Sequence, residues 1–151
     1  MIRVSVKALI IENDQVLVLE NKAGNLFYTL PGGGQNSGET MAQAIERECL
    51  EEISVRIKVG DIVFARDYIG ANHEFSAKHK GLHQIELIFN CTVLPGESIS
   101  IGPIPDKDQI GLAWLPLNTL DKYALFPRQL IPFLMAKAKG DKVPLYLGDV
   151  N

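Results

Sequence analysis

"GGQNSGETMAQAIERECLEEISV", Gly33 to Val55, is the stretch whose reading decides what this chain is. Thr40 followed by Gln43 has the spacing of a capping box, and the next dozen residues are good helix formers, so a helix is predicted over Met41–Ile53. Positions three and four apart share a helix face. Ala42, Ile45, Cys49 and Ile53 then form an apolar stripe that can pack on a sheet, with Glu48, Glu51 and Glu52 in a neighbouring acidic stripe beside Arg47. Like charges a turn apart repel, so such a stripe is costly unless something positive sits against it. Hard oxygen ligands clustered on a rigid element suit Mg²⁺ or Mn²⁺. Acidic residues alone would read as an ordinary solvated helix face. Here a glycine-rich turn precedes the helix, Glu39 adds a further carboxylate and Arg47 stands among the acids, a combination much rarer than its parts.

Outward from the helix, the chain alternates strand and turn. Ile2 to Ile11 and Val16 to Glu20 read as two strands joined at "ENDQ", and Leu26 to Leu30 as a short strand ending at the break "PGGG". Beyond the helix, Val55 to Val59, Ile62 to Tyr68, Leu82 to Leu94 and Leu112 to Leu115 read as strands. The stretch Pro95 to Gln109 is a loop, Pro127 to Lys139 a helix stopped by Gly140, and Val143 to Leu147 a terminal strand. Strands on both sides of the helix, with hairpins among them, predict a mixed β-sheet flanked by helices, an α/β or α+β sandwich.

At 151 residues and 46% hydrophobic content the chain has room for one domain, residues 1–151, with a real core and not for two. A net charge of −3 argues against a sequence-independent grip on nucleic-acid backbones, so a phosphate-bearing partner is expected to be small. The apolar N-terminus is interrupted by Arg3, Lys7, Glu12 and Asp14, which fits neither a signal peptide nor a membrane span and leads to the expectation of a soluble, cytoplasmic protein. Cys49 and Cys91 lie in apolar-patterned segments and read as small buried hydrophobes.

The opening stretch resembles the Nudix hydrolase signature, G-x5-E-x7-R-E-U-x-E-E-x-G-U with U a bulky aliphatic residue. Gly33, Glu39, Arg47, Glu48, Glu51, Glu52 and Val55 fall on its specified positions; Cys49 takes a U position and Ser54 replaces the final glycine. "YTLPGG" before the box and "GLAWLPLNTL" after it are similar to further family segments. The resemblance implies a Nudix-type α/β/α sandwich that cuts a phosphoanhydride bond in a nucleoside diphosphate linked to another group, with Mg²⁺ or Mn²⁺ as cofactor. It implies Glu48 and Glu52 as principal metal ligands, Glu51 as a further ligand or the base that orients water, and Glu39 acting through the metal's water shell. Arg47 would hold the glutamates, and Gly33 would allow the loop to turn over the helix at the metal.

Outside the box the residues leave more open. Gln109 stands five residues before Trp114, where a late carboxylate is expected, so that role passes to Asp106, Asp108 or Glu86. Arg66, Tyr68, His83, Phe126 and Arg128 are candidates to hold phosphate or stack on a base. "GANHEFSAKHKGLHQ", Gly70 to Gln84, reads as a basic loop that closes over a substrate phosphate; its three histidines lack the spacing of a zinc site. The segment "VPLYLGDV" offers an apolar surface for a homodimer. Two functions are held open: a pyrophosphohydrolase acting on a nucleotide sugar such as ADP-ribose or on an intact or oxidised nucleoside triphosphate, and a non-catalytic nucleotide-binding module on the same fold. No box glutamate is lost, which favours the first.

Overall fold

The computed structural model describes all residues, 1–151. Its strands are β1 (Arg3–Glu12), β2 (Gln15–Ala23), β3 (Asn25–Thr29), β4 (Gly32–Gly34), β5 (Ile57–Ile69), β6 (His83–Val93), β7 (Gln109–Pro116), β8 (Leu125–Phe126) and β9 (Tyr146–Asp149). The helices are α1 (Met41–Ile53), the single turn α2 (Ser76–His79) and α3 (Leu130–Ala138). The sheet runs β8-β3-β2-β1-β6-β5-β9, with β4 added to β1 and β7 to β2. The β1–β6, β3–β8 and β5–β9 pairs are parallel and the others antiparallel, giving the mixed sheet expected.

The fork at β1 matters for the site. Asn13 and Asp14, both at positive φ, close a tight hairpin in which β1 pairs with β2 through Ile11↔Val16 and Glu12↔Gln15. Lower down, β1 pairs instead with β4 (Ser5↔Gly34 to Lys7↔Gly32) on one side and β6 on the other. The two halves of the sheet separate there and a cleft opens between them.

Alternation along the strands builds two cores. Val6, Ala8 and Ile10 of β1 point to α1 and pack with Ala44, Ile45, Cys49 and Ile53. Leu9, with Val16 and Val18 of β2, points the other way onto Leu130, Ile131 and Leu134 of α3. Helix on one face and helix on the other is the α/β/α sandwich. Thr40 caps α1 as expected, its hydroxyl accepting from the Gln43 amide while Gln43 returns the bond to the Thr40 amide.

Several expectations shift. Ala44, not Ala42, completes the buried stripe of α1. "PGGG" is not a break: Gly32–Gly34 form β4, where the lack of side chains lets this short strand lie against β1. The two strands expected over Val55–Tyr68 are one, β5, interrupted by bulges around Gly60 and Asp61. Helix α3 starts at Leu130, three residues after Pro127, and β8, only two residues long, carried no periodic signal. The segment offered as a dimer surface adds β9 to β5 within the same chain, although Leu145 and Tyr146 stay exposed. Ser54, in place of the signature's glycine, adopts the left-handed conformation at φ 60° that a helix end requires. The last carbonyls of α1 are then capped by the loop after β6: the amides of Ser100, Gly102 and Ile104 donate to Ile53, Glu52 and Glu51. Both cysteines are buried and unbridged, with burial holding each thiol well above its usual range.

Candidate active site

The cleft between the sheet halves has a volume of about 410 Å³. Its floor follows from strand parity. Arg3, Ser5 and Lys7 of β1, Gln84 and Glu86 of β6, and Arg66 and Tyr68 of β5 all point into it, in register across Ser5↔Glu86 and Arg66↔Glu86. Gly32, Gly33, Gly34 and Glu48 form one wall; Phe27, Phe75, Phe126 and Leu82 stand on the opposite rim.

Helix α1 delivers the carboxylates. Glu52 is 2% exposed, and its Oε1 accepts a hydrogen bond from the Gly32 amide at 2.8 Å. Burial pushes its carboxyl up to about 8, against the pull of the Lys7 charge and the Gly32 amide. Burial likewise raises Glu48, with Arg47 and Lys7 opposing it. The Lys7 ammonium donates to the Gly32 carbonyl at 3.2 Å. Gly33 needs to be glycine for contact rather than for dihedral freedom: a Cβ there would lie 2.5 Å from Glu48 Oε1. The unusual backbone belongs to Gly32, at φ 140°, where a Cβ would meet the Val6 carbonyl.

Arg47 organises the remaining acids. Its guanidinium donates to both oxygens of Glu39 (2.7 and 3.1 Å), to Glu48 (3.0 Å), to Glu51 (3.3 Å) and to the Gly34 carbonyl (3.0 Å). The Glu39 bonds, first among these, hold the guanidinium firmly charged, and the same bonds with that from the Asn36 amide hold Glu39 below the usual carboxylate range.

No three His, Cys, Asp or Glu side chains close into a group that could hold a metal ion. Glu39, Glu48 and Glu51 turn to Arg47, and Glu52 to the Gly32 amide. The donor set nevertheless fits a hard divalent cation: Glu48 and Glu52 are desolvated carboxylates on one helix face, and Glu52 has no ion-pair partner. The three histidines of the Gly70–Gln84 segment do not converge either. His73 Nε2 meets Asp149, His83 Nε2 meets Asp67, and His79 Nδ1 meets the Tyr68 hydroxyl.

Of the candidates outside the box, Arg66, Tyr68, Glu86, Phe126 and Asp106 line the cleft. Glu86 is almost wholly buried and bonded to Arg66 Nε at 3.0 Å, while Asp106 lies close enough to Glu52 to raise its carboxyl. Gln109 is structural, donating to the Glu52 carbonyl at 3.0 Å. His83 is not in the cleft: it has the parity of Leu87 and Phe89, which face away from Gln84 and Glu86. Arg128 is also absent from the lining; it is exposed and stacks on the Phe126 ring, 4.9 Å from its centroid. From the supposed basic loop, Phe75, His79 and Leu82 reach the cleft, and Lys78 and Lys80 do not. The sequence reading missed Arg3 and Lys7 as site residues. Their signal was present, since they alternate with Val4, Val6 and Ala8 on a strand already recognised, but their charges were used only to exclude a membrane span.

A curled mixed sheet with a carboxylate-bearing helix at the mouth of a cation-floored cleft defines the class as hydrolases of phosphoanhydrides. The NUDIX domain model matches residues 1–134, and the chain belongs to the Nudix family of pyrophosphohydrolases. Among solved structures it is similar to a NUDIX hydrolase from Nitrosomonas europaea (20% identity, 96% of this chain and 94% of that one, TM-score 0.72). It is also similar to MutT protein from Methanosarcina mazei Go1 (20% identity, 91% and 96%, TM-score 0.70). A third is an ADP-ribose pyrophosphatase from Streptococcus suis (16% identity, 97% and 98%, TM-score 0.64). No curated protein matches the chain in sequence. No helix is long and apolar enough to cross a membrane.

Proposed function

We propose that this protein hydrolyses a phosphoanhydride bond in a nucleoside diphosphate joined to a second group, either a nucleotide sugar such as ADP-ribose or an intact or oxidised nucleoside triphosphate, with Mg²⁺ or Mn²⁺. The observation that carries the reading is the pair of desolvated carboxylates, Glu48 and Glu52, set beside two cations, Arg3 and Lys7, that have no salt-bridge partner and face the same cleft. Carboxylates alone would repel a diphosphate, and cations alone would bind it without activating water.

Glu48 and Glu52 would hold the divalent ion, with Glu51 and Glu39 beside them. When bound, that ion neutralises phosphate oxygens and lowers the pKa of a coordinated water. Arg47 keeps Glu39, Glu48 and Glu51 on one side of the helix through its five donors. Arg3 and Lys7 bind phosphate oxygens along β1, separated by four residues or about 13 Å of strand, a span that suits a diphosphate with its flanking groups. Asp106 takes the proton of the attacking water: it is a cleft carboxylate outside any salt bridge, whereas Glu86 is committed to Arg66 and Glu51 to Arg47. Small nucleotides in the cytoplasm are the expected partners.

The test is product chromatography across ADP-ribose, other nucleotide sugars, canonical and oxidised nucleoside triphosphates and dinucleoside polyphosphates, with Mg²⁺ and Mn²⁺ and a Glu52→Gln control. Metal-dependent turnover of one class, lost in the control, supports the reading and identifies the substrate. Binding without turnover anywhere would leave the non-catalytic module.

A further inference from the structure

Asn151 lies in the wall of the cleft and is 7% exposed. Its Nδ2 is the one buried side-chain nitrogen or oxygen in the chain without a hydrogen-bond partner. The orientation of the amide is fixed by its neighbour. Oδ1 accepts from Arg66 Nη1 at 3.4 Å, and because a guanidinium has no acceptor, turning the amide over would set donor against donor. Arg66 is itself held by Glu86 and by the Val150 carbonyl. The segment before Asn151 is equally constrained, with Asp149 accepting from the Ile69 amide, Asn72 and His73. A well-anchored element thus leaves an unpaired N–H at the cleft wall, although buried donors in proteins are otherwise paired.

This element lies beyond residue 134, where the family match ends. The donor is neutral, and the guanidinium nearest it is neutralised by Glu86. The unpaired cations that suit phosphate are Arg3 and Lys7, on β1. An exposed aromatic ring lies along the same cleft: Phe75, 41% exposed and 5.5 Å from Phe126, whereas Tyr68 is buried between Arg66 and His73. A flat ring with an acceptor on its edge satisfies both the Phe75 ring and the N–H. A ribose has no flat face to offer.

We propose that Asn151 is a specificity-determining residue that donates from Nδ2 to a carbonyl oxygen or ring nitrogen on the edge of the substrate's nucleobase. The inference rests on the reading of the cleft as a nucleotide site. It is tested by calorimetric binding of ADP, GDP, CDP, UDP and inorganic pyrophosphate, with Mg²⁺, to the unaltered protein and to Asn151→Ala and Asn151→Leu. Asn151→Leu keeps the branched shape and the neutrality while removing the donor, so it decides the matter if the alanine variant folds poorly. The unaltered protein is expected to prefer one or two bases. Both variants should weaken binding of those by about tenfold, the size of a single neutral hydrogen bond, flatten the ranking, and leave pyrophosphate unchanged. An unchanged ranking, an equal loss for all four nucleotides, or a parallel loss for pyrophosphate overturns this inference alone. Failure of the unaltered protein to bind any nucleoside diphosphate overturns it together with the function on which it rests.

Discussion

Glu52 Oε1 lies 2.8 Å from the Gly32 amide nitrogen, a hydrogen bond that ties the carboxylate-bearing face of α1 to the strand lining the cleft. The bond accepts from a neutral donor, so it orients the carboxylate without neutralising it. Glu52→Gln retains the oxygen and the shape while removing the ability to ionise toward a bound cation. Metal-dependent turnover should fall by about three orders of magnitude or more, as befits loss of a principal ligand. The metal-free variant should melt no lower than the unaltered protein, because a neutral amide replaces a carboxyl that burial already drives toward its neutral form. Adding Mg²⁺ should raise the melting temperature of the unaltered protein, by mass action on the folded state, and leave the variant where it was. Calorimetric melts with and without Mg²⁺ check this; equal metal shifts in both proteins would remove Glu52 from the ligand set.

Gly33 separates contact from conformation. Its Cβ would stand 2.5 Å from Glu48 Oε1, so Gly33→Ala must displace that carboxylate. The displaced group is a flexible side chain, and the backbone needs no rearrangement. Activity is therefore expected to drop by about 10- to 100-fold, through misplacement of one ligand, with a melting temperature within a few degrees of the original. Gly32→Ala is the contrasting variant. There a Cβ at φ 140° would lie 2.1 Å from the Val6 carbonyl, backbone against backbone, and stability itself should fall.

How much of this was legible in the chain depends on the range of the interaction. Helix α1 was readable to both ends because its signals are local: a capping box at Thr40 and Gln43, and a periodic apolar stripe. The acid and arginine spacing of the box was readable for the same reason. β4 and β8 were not, since three glycines and a two-residue strand have no pattern of their own and exist only through pairing with β1 and β3. The alternation that sets Glu86 toward the cleft sets His83, three residues earlier, on the opposite side of β6. The contribution of Asn151 could not be read at all. It reaches Arg66 across 85 residues of sequence, through a strand pairing that no local spacing announces.

Arg47 touches four partners through a planar fork, and Arg47→Lys keeps the charge while losing that geometry. A single ammonium cannot hold Glu39, Glu48, Glu51 and the Gly34 carbonyl together. The variant should fold, lose about 10- to 100-fold in kcat, and need a higher Mg²⁺ concentration for half-maximal rate, as expected when the groups that orient metal ligands are altered. A Mg²⁺ titration of initial rates distinguishes this from a purely structural ion pair, whose loss would lower the melting temperature and leave the metal requirement unchanged.

Asp149 links the end of the chain to the Gly70–Asn72 turn, and its titration should make that link acid-sensitive. Burial pushes its carboxyl up, but hydrogen bonds from Asn72, His73 and the Ile69 amide outweigh burial and hold it down at about 2, below its ordinary value of 3.8. A carboxyl depressed in the folded state adds stability that is fully present above the unfolded value and is lost as pH falls through the folded one. The window is therefore from about pH 4 down to about pH 2. Asp149→Asn removes the titrating group. Urea midpoints for the two proteins should differ most at pH 7, with the unaltered protein the more stable, and draw together as the pH is lowered through that window. A gap that stayed constant down to pH 2 would show that Asp149 holds β9 by shape alone and not by its charge.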